Sequence, residues 1–411
     1  MVAGELLRSF VDYLRHQRLR TLLTILGITW GTVSVAVLLS FGTGLKQQMT
    51  VNAHGIGDGL VIAWGGKTTK PWEGFPEGRW THLRDTYVDL IAREVPGVVA
   101  ISPEYSNWSP PTHRGTASSN AAIGGVLPSF AAIRNIFADS GGRFLDQRDV
   151  DEKRRVAFLG DDLKKLLFGD GEAVGRQVYI GKVPFTVVGV MRHKVQNSSY
   201  MARDKDRVFI PATTFKALYG ARYLNNIVFK VGDPTRSADV VRQVRGVVAR
   251  HERFDPTDED ANPMWDTNYM MTMFAAIFVG CNLFLGILGF FTLLVGGIGV
   301  ANIMFVVVRE RTPEIGLKRS VGARRRDILL QFFTESVFIV SIGAVIGMLI
   351  TMGIVTVGRF LPKTAIEAVG VPVLSLGVLG VTMALLAGVA FMAAYFPAQR
   401  AASLDPVECM R

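Results

Sequence analysis

Apolar residues are not spread evenly along this chain; they gather in four stretches, Leu19–Leu45, Thr272–Val308, Ile328–Val357 and Val371–Phe396. Each exceeds the roughly 20 residues a helix needs to cross a hydrocarbon core about 30 Å thick, so four membrane spans are predicted. Between the first two lie roughly 220 residues of mixed apolar and polar patterning, enough to bury a core of their own. Ahead of the first span, Leu6, Leu7, Phe10, Val11 and Leu14 recur at helical spacing with charges opposite. That pattern predicts an amphipathic helix lying on the membrane surface.

Within the long intervening segment, strand and helix periods alternate. Leu60–Trp64 and Val98–Ser102 read as strands flanking a helix over Arg84–Glu94. A second group follows: strand Arg155–Leu159, helix Asp161–Phe168, and a hairpin of Gln177–Ile180 with Phe185–Val190 across Gly181-Lys182. The chain returns through strand Val208–Ile210, helix Ala212–Tyr219, strand Asn226–Val231 and helix Ser237–Glu252. This is mixed α/β character, with residues of about 115–205 inserted into a β-α-β unit formed by the flanking pieces.

The expected class is an integral membrane α-helical protein with four spans and a large mixed α/β extracytoplasmic domain between the first two. The expected organisation is a surface helix at 1–18, spans at 19–45, 272–308, 327–358 and 371–396, and the external domain at 46–271. A loop at 309–326, a short external loop at 359–370 and a tail at 397–411 complete it. The second stretch, at about 1.5 Å per residue, would be about 55 Å long, well beyond the hydrocarbon core. A helix projecting outward as a stalk accounts for the excess. Asn282 and Asn302 punctuate it, and Gly286, Gly289, Gly296, Gly297 and Gly299 allow close packing or bending.

Composition agrees with a mixture of spans and a water-soluble domain: 49% hydrophobic residues and a mean hydropathy of +0.28. Basic residues set the orientation. Arg8, Arg15, Arg18 and Arg20 precede the first span, and Arg309, Arg311, Lys318, Arg319, Arg324, Arg325 and Arg326 lie between the second and third. The flank 255–270 carries no Lys or Arg, only Asp255, Asp258, Glu259, Asp260 and Asp266. The positive-inside rule then places both termini and the 309–326 loop in the cytoplasm and the large domain outside. The net charge of +10 follows mainly from this topology, which argues against a nucleic-acid-binding face. Both cysteines, Cys281 and Cys409, avoid the external domain, which therefore folds without disulfides. The first span is too long for a cleavable signal and lacks a small-residue cleavage site, so it is expected to stay as an anchor.

Candidate chemistry is sparse. Gly65-Gly66-Lys67-Thr68 imitates the end of a phosphate-binding loop, but Val61 stands where the first glycine is required. The histidines, His16, His54, His82, His113, His193 and His251, lack ligand spacing, and no G-x-S-x-G elbow occurs. No catalytic residue, cofactor site or metal site is assigned. Glu335, early in the third span, is expected to pair near the interface with an Arg or a neighbouring span, not to carry protons. In the 309–326 loop, Ile315, Leu317 and Val321 offer an apolar side of a short helix, with Pro313 near its start and Gly322 at its stop. Pattern alone leaves two readings level: a helix that docks into a partner's groove, or basic residues placed only by topology. Gly27-x-x-x-Gly31 and Gly343-x-x-x-Gly347 permit close helix contact, and with Gly289, Gly296 and Gly297 they are the expected packing or dimer positions. Four spans enclose little volume, which makes a symmetric homodimer physically reasonable.

The segment Arg309-Glu310-Arg311-Thr312-Pro313-Glu314-Ile315-Gly316-Leu317-Lys318-Arg319-Ser320-Val321-Gly322-Ala323 resembles the cytoplasmic segment of FtsX-like permeases, the membrane subunits of ABC transporters in the macrolide-exporter (MacB) and lipoprotein-release group. Leu19–Ile28 (LRTLLTILGI) is similar to that family's first-span entry, and Val174-Gly175-Arg176 with Phe185–Val190 to the middle of its extracytoplasmic domain. Tyr395-Phe396-Pro397-Ala398 and Ala401-Ala402-Ser403-Leu404-Asp405-Pro406-Val407 look like its C-terminal signature. Blocks in one order across nearly the whole chain make the resemblance specific.

The resemblance implies a type VII-like ABC permease with porter-like flanks in the external domain, working as a homodimer with two copies of a separate ABC ATPase. Some members carry the ATPase at their N-terminus, whereas this sequence starts directly at the amphipathic helix. ATP would then be used by the partner and no cofactor bound by this chain. Glu310, Arg311, Glu314, Ile315, Gly316, Leu317, Gly322 and Ala323 would couple to the ATPase. Conformational change would be passed outward by mechanotransmission, for export or efflux, with a periplasmic adaptor and an outer-membrane channel as further expected partners. Alternatives are a relative whose motion regulates a cell-wall hydrolase or sensor, a lipoprotein-release permease, and an anchored external domain with no ATPase.

Overall fold

The computed structural model describes residues 18–403 except 109, 197, 198, 361, 363–365 and 367–369. The amphipathic stretch 4–17 and the tail from 404 onward, with Cys409, lie outside the described residues. Contacts divide the chain into two compact units: residues 49–275, and residues 1–48 with 276–411.

The first unit is built on one sheet. Its strands are β1 (Leu60–Trp64), β2 (Val98–Asn107), β3 (Thr112–Arg114), β4 (Ala117–Ser119), β5 (Ile123–Val126), β6 (Val156–Leu159), β7 (Gln177–Ile180), β8 (Val183–Val190), β9 (Val208–Pro211), β10 (Asn226–Val231) and β11 (Met264–Asp266). Their order across the sheet is β11-β1-β10-β2-β5-β9-β6-β8-β7-β3-β4. Strand β10 lies between β1 and β2 and is antiparallel to both, so β1 and β2 with the helix between them form a split β-α-β unit. The middle segment does not build a sheet of its own; β5 pairs with β2 and carries the ladder onward through β9.

Alternation along the central strands explains why both faces are covered. Val61, Ala63, Ile227, Phe229, Val208, Ile210, Ala157 and Leu159 point to one core. Leu60, Ile62, Val228, Phe209 and Phe158 point to another. The first core is closed by the apolar stripes of Asp85–Glu94, Asp161–Phe168, Ala212–Tyr219 and Ser237–Glu252, through Ile91, Leu163, Phe215 and Val244. The short helix Ser129–Ile133 covers the second with Phe130 and Ile133. The helices expected from the sequence at these places coincide with those formed, while β3, β4, β5 and β11 were not expected.

In the second unit the long helices are α1 (Arg18–Ile56), α2 (Thr267–Glu310), α3 (Arg325–Gly358) and α4 (Leu376–Ser403), with the short helix α5 (Thr312–Ser320) between α2 and α3. All four long helices are apolar and long enough to cross a membrane. With the α/β sheet, they define an integral membrane α-helical protein carrying a large mixed α/β domain between its first and second spans. Helix α2 is continuous over 44 residues and begins earlier than its apolar run suggested. It is therefore about 66 Å long.

Candidate coupling site

Helix α5 forms where the apolar run of α2 ends. Pro313 sits in its first turn, where a missing N–H costs nothing, and the Thr312 hydroxyl donates to the Val308 carbonyl at 3.0 Å. Glu314 in the first turn and Lys318 and Arg319 in the last match the helix dipole. Gly322 stops the turn at φ +103°, a conformation that a side chain would strain.

The apolar side expected from Ile315, Leu317 and Val321 splits in two. Ile315 is 2% exposed and belongs to the helical core, whereas Leu317 is 62% and Val321 82% exposed. The reason is rotation: residues 315 and 317 lie about 200° apart on a helix, while 317 and 321 are one turn apart on the same face. Gly316 is buried beside Ile315, Ala323 is half-buried against the core, and Glu310, Glu314 and Gly322 are exposed.

The inner side is tied to its neighbours by polar contacts. Arg311 Nη1 lies 3.2 Å from Glu335 Oε1 and 3.3 Å from Oε2, and its Nε donates to Glu314 at 3.0 Å. Gln331 donates to Glu335 at 3.2 Å and accepts from Lys318 Nζ at 3.1 Å. Arg319 Nη1 donates to the Ala402 carbonyl of α4 at 3.0 Å. Burial works against the Arg311 charge, but Glu335 and Glu314 outweigh it and raise its pKa, so it stays a cation. Glu335 has the interfacial Arg partner its place in the sequence suggested. Gln331 and Arg319 were missed as anchoring groups; the spacing of Gln331 and Glu335, one turn apart, was the available signal.

The glycines singled out from the sequence meet neighbours within this chain. A Cβ on Gly27 would lie 3.6 Å from Gly296 Cα, and one on Gly31 2.9 Å from Leu293. One on Gly289 would stand 2.5 Å from Val35, and one on Gly297 2.5 Å from Val389. On Gly343 it would meet Ile28 at 2.8 Å, and on Gly347 Thr32 at 2.7 Å. They set the approach of α1 to α2 and α3, and of α2 to α4.

The external unit holds a charge cluster that sequence reading did not find. Asp204 accepts from Arg134 Nη2 at 3.0 Å and pairs with Lys194 at 2.8 Å. Glu104 accepts from Arg207 at 2.7 Å, from Tyr200 at 2.5 Å and from Asn226 at 2.5 Å. Arg134, Arg207, Glu104 and Asp204 are fully buried. Scattered over a hundred residues, these groups leave no local pattern.

The phosphate-loop lookalike is spent on folding. The Gly66 amide donates to Ala261 O at 3.1 Å, that of Lys67 to Asp260 O at 3.1 Å and that of Thr68 to Arg79 O at 2.9 Å. A phosphate would find those donors occupied. His82, His113 and His251 stack on Tyr223, Tyr179 and Tyr87, and His193 lies 2.7 Å from Asp161.

Fold and loop together define a membrane permease with an extracytoplasmic α/β domain. Residues 21–247 match the MacB-like periplasmic core domain and residues 286–406 the FtsX-like permease C-terminal domain, and the chain belongs to this family of ABC transporter permeases. It is 32% identical over 411 residues to the macrolide export ATP-binding/permease protein MacB of Rhodospirillum rubrum, covering 98% of this chain and 60% of that protein. It is 30% identical over 410 residues to the pyoverdine export ATP-binding/permease protein PvdT of Pseudomonas aeruginosa, covering 96% and 56%. The chain thus spans about 60% of the length of such relatives. The periplasmic region of MacB from Actinobacillus actinomycetemcomitans aligns with 55% of this chain and 96% of its own, at 17% identity and a TM-score of 0.43.

Proposed function

We propose that this permease couples ATP hydrolysis on an ABC ATPase to movement of its extracytoplasmic domain, and that the movement drives export. The observation that carries the reading is the two-sided construction of α5. Leu317 and Val321 present an exposed apolar face one turn apart, while Ile315, Arg311, Lys318 and Arg319 fasten the opposite side to α3 and α4. A partner that pushes on such a helix displaces the helices behind it, because interfaces this closely packed shift as units. Glu310, Arg311, Glu314, Ile315, Gly316, Leu317, Gly322 and Ala323 form this element. The long α2 carries the displacement outward, so no cargo needs to cross the helical bundle itself.

In this reading the termini and α5 are cytoplasmic and the α/β domain periplasmic. The working unit is a homodimer with two ATPase copies, assisted by an adaptor and an outer-membrane channel. ATP is bound by the ATPase and no cofactor by this chain. The names of the relatives, which join ATP-binding and permease parts, support an ATPase partner. Co-purification with that ATPase tests the proposal. The pair L317D and V321D should abolish association while leaving the permease monodisperse, and association at the wild-type level would overturn it.

A further inference from the structure

Two exposed apolar stripes end in arginines at the same cavity. On α2, Val295, Ile298 and Phe305 are exposed on one face, which the exposed Asn302 interrupts between the last two, and Arg309 follows Phe305 by one turn on that face. On α4, Met392 and Phe396 are exposed at successive turns, and Arg400 is the next residue in that row. Both arginines line a cavity of about 420 Å³ whose wall is Phe305, Val306, Val308 and Thr312. The Arg400 guanidinium lies 6.0 Å from the Phe305 ring centroid, which holds it over the cavity. Among the described residues, neither guanidinium has a carboxylate within ion-pair distance, unlike Arg311 a few residues away.

We infer that this cavity binds the phosphate headgroup of an anionic phospholipid in the cytoplasmic leaflet, its acyl chains lying along the stripes above. The leaflet rests on the orientation proposed above; the chemistry rests on the cavity. An arginine at the end of an apolar stripe keeps its stem in hydrocarbon and its head at the interface. Two such heads around one opening present paired donors to a phosphate, the bidentate geometry that guanidinium favours. Basic pockets between spans on the cytoplasmic side take anionic headgroups for the same reason. The apolar wall selects a lipid over free phosphate, and an anionic lipid over a zwitterionic one follows from two cations that have no carboxylate partner among the described residues.

The permease, co-expressed with its ATPase, is purified in mild detergent, and its retained lipids are counted by native mass spectrometry. Wild type should retain phosphatidylglycerol or cardiolipin above its share of the membrane. The R309Q/R400Q variant should lose about tenfold of that retention, the loss of charge-assisted bonds to a phosphate, with phosphatidylethanolamine unchanged. R309K/R400K, which keeps charge without the fork, should fall between. Equal retention of anionic lipid in wild type and R309Q/R400Q overturns the inference. So does loss of ATPase or of self-association in R309Q/R400Q, which would assign the cavity to a protein contact. If R309Q/R400Q is not monodisperse, R400Q alone is compared. A wild type that never associates with an ATPase would defeat the coupling proposal and leave the lipid count intact.

Discussion

Arg311 and Glu335 join the first residue beyond α2 to the first third of α3, with Nη1 within 3.3 Å of both carboxylate oxygens. Both are largely withdrawn from solvent, so the pair resists screening more than a surface bridge does. It converts the junction between two spans into a fixed corner.

E335Q removes one partner and leaves the Arg311 charge half-buried with only Glu314. A loss of about 2 kcal/mol or more is expected in thermal unfolding of the detergent-solubilised protein. R311M/E335M should recover part of it. A double-mutant cycle giving less than about 0.5 kcal/mol of coupling would show that the corner is not held by this pair.

Gly343 and Gly353 lie on the same helix but in opposite surroundings. A Cβ at 343 would press on Ile28 at 2.8 Å, whereas nothing stands within 4 Å of one at 353. G343L should lower stability by about 1–3 kcal/mol through overpacking, and G353L should be near neutral in the same melting assay. Equal effects would remove the steric account of the α1–α3 contact.

The buried cluster of the external unit predicts an acid limit. Burial alone would raise the Asp204 carboxyl, but Arg134, Lys194 and Arg207 outweigh it and hold the pKa at about 2. Its folded value lies below the unfolded value of about 3.9. The carboxylate therefore stabilises the fold above about pH 4, and that contribution is lost as pH falls toward 2. D204N leaves three buried cations facing Glu104 alone and should cost about 3–5 kcal/mol. Intrinsic fluorescence of the full chain against pH measures both; an acid limb identical in D204N and wild type would count against this role.

Orientation is checked by thiol labelling in a C281S/C409S background. Ser118, exposed in the middle of β4, should as S118C react with an impermeant maleimide on intact cells. Ser320, exposed at the end of α5, should as S320C react only after permeabilisation. The reverse pattern would invert the proposed topology.

Much of this was legible in the sequence because long apolar runs and strict two-residue alternation are local signals. Asn226–Val231, a short apolar run, and Asp161–Phe168, whose Leu163 and Leu167 recur one helical turn apart, form where expected. β5 was not legible: Ile123-Gly124-Gly125-Val126 carries two glycines, which strand propensity disfavours. They stand there because Arg207 would lie 2.8 Å from a Cβ on Gly124, and Phe215 2.5 Å from one on Gly125. That requirement comes from groups some ninety residues away. The same limit hid the Arg134–Asp204 pair and, within α5, which of Ile315 and Leu317 would turn inward.

The crowding along α1 has a mechanical corollary. Where Gly27 meets Gly296, neither α1 nor α2 places a side chain at the crossing. Interlocked leucines would act as gear teeth, stepping only from one notch to the next. That one crossing is shallow and would act more like a plain bearing, while Leu293 seated against Gly31 and Val35 against Gly289 keep the rest of the same contact notched.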